Sequence, residues 1–149
     1  MLTVADIMTR NVVSIKGTTT VREMAGIFDT MRFGTLPIVD DAGDLTGIVT
    51  ASDLVEQDRP LHIPTVISLF DWIIPLGGES SLQRELNKIT AQTAAELASS
   101  DLVTVTPSDT VSTAAEIMSS KKLHAIPVVE SKKLVGMVSR IDIIRSMNR

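Results

Sequence analysis

Two short segments hold the residues best suited to chemistry, Gly47-Ile-Val-Thr-Ala-Ser-Asp53 and Gly136-Met-Val-Ser-Arg-Ile-Asp142. In each, an apolar run ends at a hydroxyl residue and a carboxylate follows three positions later. Two readings are open. Thr50-x-x-Asp53 and Ser139-x-x-Asp142 have the spacing of helix-capping pairs, as does Thr3-x-x-Asp6 in the same chain. The same groups also suit a ligand. Free N–H groups at a helix N-terminus attract phosphate, a hydroxyl donates to it, and an ionised Asp accepts from the two hydroxyls of a ribose. Each segment is paired with an apolar-Pro-β-branched strand, Leu36-Pro37-Ile38 and Ile126-Pro127-Val128. Proline gives up a ladder donor, so such a strand belongs at an edge or beside a cleft, where apolar side chains sandwich a flat base.

The elements that would position these groups occur twice. Shifting the chain by 90 positions aligns Thr3 with Thr93, Val13 with Val103, Thr20-Val21 with Thr110-Val111, Pro37 with Pro127 and Val39 with Val129. After one residue is dropped in the next turn, Leu45, Gly47, Val49 and Asp53 match Leu134, Gly136, Val138 and Asp142. Within each copy Thr3–Asp6 and Thr93–Glu96 open short helices. Val12–Ile15 and Leu102–Val105 read as strands. An amphipathic helix runs from about Thr20 to Arg32, with Val21, Met24, Ala25, Phe28 and Met31 on one stripe. Its counterpart carries Val111, Ala114, Ala115 and Met118. A hairpin follows, across Asp40–Asp44 or Ser131–Lys133, the Lys132-Lys133 pair reading as a solvated turn, and a last helix begins after Thr50 or Ser139. Each unit is thus β-α-β-β-α. Such a unit cannot bury both faces of its sheet alone, so the two copies must pack together, and their symmetry creates two equivalent clefts.

The expected organisation is a first repeat at 3–56, an insertion at 57–92 and a second repeat at 93–147. The insertion holds a turn-rich stretch with His62, an apolar run from Thr65 to Leu76, and a helix opened by Ser80 with Leu82, Leu86 and Ile89 on one stripe. The apolar run either fills a gap between the repeats or forms a dimer or partner surface.

Composition removes several classes. Hydrophobic residues make up 44% and charged residues 21%, as in a soluble globular protein. A net charge of −4 argues against a broad nucleic-acid surface, and aromatics at 3% argue against a base-stacking platform. Without Cys there is no disulfide, thiolate metal site or cysteine nucleophile. Metal-ligand spacings and the P-loop and dinucleotide glycine motifs are missing, as is a plausible nucleophile–base set. MLTVADIMTR has neither a basic nor a long apolar region, and no apolar stretch approaches the roughly 20 residues of a membrane span. The expectation is a cytoplasmic protein that is not an enzyme and binds neither nucleic acid nor membrane.

The opening Asp6-Ile-Met-Thr9, the two Pro strands and the two G-h-V-[ST]-x-x-D segments, in this order and twice over, resemble cystathionine-β-synthase (CBS) domains; the chain resembles a stand-alone CBS pair, or Bateman module. The resemblance implies an α/β (α+β) fold of two repeats about a pseudo-two-fold axis, and a homodimer. It also implies an adenosine-containing ligand, an adenine nucleotide or S-adenosylmethionine, in the inter-repeat clefts, with no required cofactor. Carried over by position, Asp53 and Asp142 hold ribose, and Thr50 and Ser139 contact phosphate. Val13, Ile15, Leu36, Pro37, Ile38, Val103, Val105, Ile126, Pro127 and Val128 line adenine pockets. The copies differ in charge: Arg140, Lys122 and His124 belong to the second, so its site is expected to prefer a phosphorylated ligand. His124 either approaches that phosphate or covers the hairpin. The expected function is a sensor signalling in trans to an effector protein; the alternative is a ligand-free structural module that dimerises or docks a partner through the apolar insertion.

Overall fold

The computed structural model describes residues 2–31, 34–56, 92–98 and 102–148. The expected helix after Ser80, the apolar run Thr65–Leu76 and His62 lie outside these residues, as does Arg32 at the end of the first amphipathic helix. The elements are α1 (Val4–Ile7), α2 (Val21–Met31), β1 (Thr35–Val39), β2 (Leu45–Thr50), α3 (Ala51–Glu56), α4 (Ala94–Leu97), α5 (Val111–Lys121), β3 (Ala125–Glu130), β4 (Lys133–Ser139) and α6 (Arg140–Ser146).

Local chemistry accounts for where the helices start. Asp6 Oδ2 accepts from the Thr3 N–H at 2.9 Å, and Glu23 and Thr20 bond reciprocally at the start of α2. Thr110 Oγ1 accepts from the Thr113 N–H at 3.1 Å. On α2, Val21 and Met24 are buried and Ile27 and Phe28 are half-buried against the same core, whereas Ala25 and Met31 of the expected stripe are exposed. On α5 the buried pair is Ala114 and Met118.

The two hairpins are antiparallel and share an irregularity at the same place. Ile38 faces Gly47 while Val39 faces Leu45, and Val128 faces Gly136 while Val129 faces Leu134. Thr46 and Val135 are therefore the extra residues of two β-bulges. The strands expected at Val12–Ile15 and Leu102–Val105 shrink to single parallel bridges, Ile15 to Ile38 and Val105 to Val128. Proline is the cause. Ile15 N–H donates to Pro37 O at 3.0 Å and Val39 N–H to Ile15 O at 2.9 Å. The next bond of a parallel ladder would run from residue 37 to the carbonyl of Val13, and Pro37 has no N–H to make it. Pro127 ends the second ladder in the same way beyond Val105.

The short leading helices are exchanged. Val4 N–H donates to Asp109 O (2.8 Å), Ala5 N–H to Pro107 O (3.0 Å) and Val111 N–H to Leu2 O (3.1 Å). The mirror set joins Ala94 to Thr19 O (2.7 Å), Ala95 to Gly17 O (3.0 Å) and Val21 to Gln92 O (2.8 Å). Val4 is accordingly buried in the core of the second repeat, with Val105, Ala114, Met118, Ile126, Val128, Val138 and Ile143. Ala94 is buried in the core of the first, with Ile15, Val21, Met24, Leu36, Ile38 and Val49. The hairpin tips also meet across the repeats. Leu45 N–H donates to Lys132 O at 2.9 Å, and Lys133 Nζ lies 2.8 Å from Asp44 Oδ1. Lys133, expected in a solvated turn, instead binds the opposite hairpin.

The arm following α1 lies on β4: Thr9 and Met137 exchange both backbone bonds, at 2.8 and 2.9 Å. A Cβ on Gly136 would sit 2.9 Å from Thr9 O and 2.7 Å from Met8 Sδ. Gly136→Ala should therefore destabilise the protein by about 1–3 kcal/mol in urea unfolding, because the arm must move. Gly26, inside α2, gives the opposite sign, since a Cβ there would meet nothing within 4 Å. Gly26→Ala should stabilise by about 0.5–1 kcal/mol.

Candidate functional site: a cleft between the repeats

A cleft of about 410 Å³ opens where the first repeat meets β4 and α6. One wall is Thr9, Asn11, Val12 and Val13, with Gly34 and Thr35 at the entry to β1. The other is His124 and Ala125 at the entry to β3, Met137 and Ser139 of β4, and Ile141, Asp142 and Arg145 of α6. Val12 and Val13 stand here because the ladder ends at Ile15, leaving the chain before it unpaired with β1.

At the head of α6 the capping reading is realised. Asp142 Oδ2 accepts from the Ser139 N–H (2.9 Å) and hydroxyl (3.0 Å), and Ser139 Oγ accepts from the Asp142 N–H (3.3 Å). The carboxylate is 8% exposed, and the positive end of the helix compensates its burial. Both contacts fall on Oδ2, so Oδ1 keeps its lone pairs for a donor from outside the motif. The first repeat repeats the pattern at the head of α3: Asp53 Oδ2 accepts from the Thr50 N–H at 2.7 Å and Thr50 Oγ1 from the Asp53 N–H at 3.3 Å.

Of the residues expected at a site, the structure gathers Ser139, Asp142, His124 and Val13 in this cleft. Thr50 and Asp53 stand at the equivalent point of the other repeat. Arg140 and Lys122 do not join Ser139 and Asp142. They border a separate hollow of about 380 Å³ with Ala115, Met118, Ser119, Ile143 and Ile144. Arg140 Nε donates to Leu123 O at 3.0 Å. The reason is helical period: at about 100° per residue, Ile141, Asp142 and Arg145 share one face of α6, and Arg140, Ile143 and Ile144 share the other.

The apolar set expected around a base is mostly core. Ile15, Leu36, Ile38, Val105, Ile126 and Val128 are buried in the two hydrophobic clusters, and Pro37 and Pro127 are fully buried. Val103 packs half-buried against the second core. Among those ten residues, Val13 alone faces the cleft. The sequence reading missed Arg145 and Ile141, whose helical spacing from Asp142 was the signal for them. Thr9 and Asn11 arrive through the exchanged arm, for which the sequence carries no local signal.

Fold and cleft together define a class: a tandem-repeat α+β module whose groove is shared by its two halves. A family profile for the CBS domain matches residues 4–59 and 94–149, and the chain belongs to the CBS-domain family. It is 28% identical over 143 residues to the uncharacterized protein MJ1404 of Methanocaldococcus jannaschii, covering 95% of this chain and 31% of that one. The chain spans about a third or less of the length of the first curated relatives it matches. Its fold matches the crystal structure of CBSX2 in complex with AMP (TM-score 0.76, 23% identity), covering 99% of this chain and 97% of that one. It also matches the CBS domain pair of MJ0100 in complex with 5′-methylthioadenosine and S-adenosyl-L-methionine (TM-score 0.71, 22% identity), with 99% and 97% covered. Among the described residues, no helix is long and apolar enough to cross a membrane and no cluster of His, Asp and Glu has the makings of a metal site.

The cap itself is testable without a ligand. Ser139→Ala should lower stability by about 1 kcal/mol in urea unfolding. Arg140→Lys, on the opposite face of α6, should change it by less than about 0.5 kcal/mol.

Proposed function

We propose that the module is a regulatory sensor, without catalytic activity, that binds an adenosine-containing ligand in the cleft between its repeats and signals to an effector protein in trans. The observation that carries this reading is the convergence of the Ser139–Asp142 helix head and the Val12–Val13 segment, from opposite repeats, on one cleft. Asp142 Oδ1 accepts from ribose hydroxyls, Ser139 turns its hydroxyl toward phosphate, and Val12, Val13 and Ile141 cover the base. The two matched pairs crystallised with AMP and with S-adenosyl-L-methionine lend support from the same fold. Because the walls come from both repeats, a ligand touching both favours one relative arrangement over others, which is the differential binding a switch requires.

The expected homodimer draws on α3 and α6. Val55 and Ile144 occupy matching positions of the two repeats and are 72% and 57% exposed, a repeated apolar feature suited to a self-complementary face. A cytoplasmic setting is part of the same proposal. The alternative of docking through Thr65–Leu76 concerns residues outside the described structure.

Titration calorimetry with AMP, ADP, ATP and S-adenosylmethionine tests the reading; silence with all of them would sink it. Asp142→Ala should weaken the bound ligand by roughly 10- to 150-fold, the equivalent of one charge-assisted hydrogen bond of about 1.5–3 kcal/mol. Asp142→Asn, which keeps an acceptor for the Ser139 N–H, separates the ligand effect from loss of the cap and should weaken binding by about tenfold. Unchanged affinity in both variants would show that the site lies elsewhere.

A further inference from the structure

The cleft carries an exposed cation at its rim, and that residue is not one of the basic cluster that precedes β3. Of the side chains lining it, His124, Asp142 and Arg145 are the ionisable ones. Asp142 is buried with its Oδ2 engaged at the helix head, whereas Arg145 is exposed, one turn further along the same face of α6. No ion pair between Arg145 and Asp142 or any other carboxylate is found among the described residues. A guanidinium that borders a cleft and is not neutralised by a protein carboxylate offers a planar fork to an anionic oxygen. The matching position of the first repeat carries Glu56, so the charge at this point of the repeat is reversed rather than shared.

We infer that Arg145 is the residue that makes this cleft discriminate for a ligand bearing an anionic group beyond the ribose, a nucleoside phosphate over the bare nucleoside. Arg140 and Lys122 take no part, because they open onto the opposite side of α6. The inference rests on the adenosyl-ligand reading above and adds to it the origin of its charge preference. His124, on the entry to β3, faces the same space and supplies a ring N–H to the same oxygens, while the positive charge comes from Arg145.

The test compares AMP with adenosine on the full chain, using wild type, Arg145→Gln and Arg140→Ala. Arg145→Gln should weaken AMP by about tenfold and leave adenosine within about twofold of wild type. It should also flatten the fall of AMP affinity with added salt, since an exposed ion pair is screened. Arg140→Ala should bind both ligands as wild type does. Equal losses for AMP and adenosine, an unchanged AMP affinity, or an unchanged salt dependence in Arg145→Gln overturns the assignment, and the adenosyl-binding reading survives. The same loss in Arg140→Ala also overturns it. Wild-type protein that binds neither AMP nor adenosine overturns the assignment, and silence with ADP, ATP and S-adenosylmethionine as well overturns the adenosyl-binding reading too.

Discussion

Six backbone hydrogen bonds, three at Thr3–Thr110 and three at Thr20–Thr93, hold each leading helix on the repeat to which it does not belong in sequence. Their effect is larger than their number. Helices of four residues are too short to be stable by themselves, and each is stabilised by burying one apolar side chain, Val4 or Ala94, in the opposite core. Each core is closed only when the other repeat is present. The pair therefore forms one cooperative unit in which displacing either arm opens a core. The same exchange seats Thr9 on β4, and the chain that follows, through Asn11 to Val13, builds one wall of the cleft. The need for glycine at 136 follows from it, since the arm passes too close to tolerate a side chain there.

The helix heads show how a motif that caps a helix still keeps an acceptor for the proposed ligand. A cap needs one carboxylate oxygen and one hydroxyl oxygen, and Ser139–Asp142 engages Oδ2 and Oγ in this way. The remaining oxygen is held in a fixed direction by the same bonds. Capping thus preorganises a group whose free position in solution would be costly to restrict on binding. Proline acts similarly at the opposite wall: by ending the parallel ladder after a single bridge it leaves Val12 and Val13 out of the sheet and available to a ligand.

The charge of the cleft depends on helical phase. Arg140 and Arg145 are five residues apart on α6, which puts them on different sides of it, one toward the outer hollow and one toward the cleft. The second repeat is the more basic in sequence, and the cleft at its α6 has a cation at the rim, but that cation is Arg145. Nearness in sequence to the Ser–Asp motif pointed to Arg140; the period of the helix turns Arg145, and not Arg140, toward the cleft.

Much of the architecture was legible from the chain alone. The doubled unit, the capping pairs at Thr3, Thr50 and Ser139, the hairpins around Pro37 and Pro127 and the α+β class all follow from interactions between residues close in sequence, which spacing and side-chain type report directly. The candidate cleft was legible where it depends on such local chemistry, at Ser139 and Asp142, which line it. It was not legible where distant segments meet. Leu36, Ile38, Ile126 and Val128 looked suited to a base, and tertiary packing instead buries them in two cores beside Met24, Val49, Met118 and Val138. Thr9 and Asn11 reach the cleft through an arm exchanged between repeats. A repeat in sequence determines that two like units exist; which unit completes which is decided by the burial of Val4 and Ala94, and that depends on surfaces brought together only when the chain has folded.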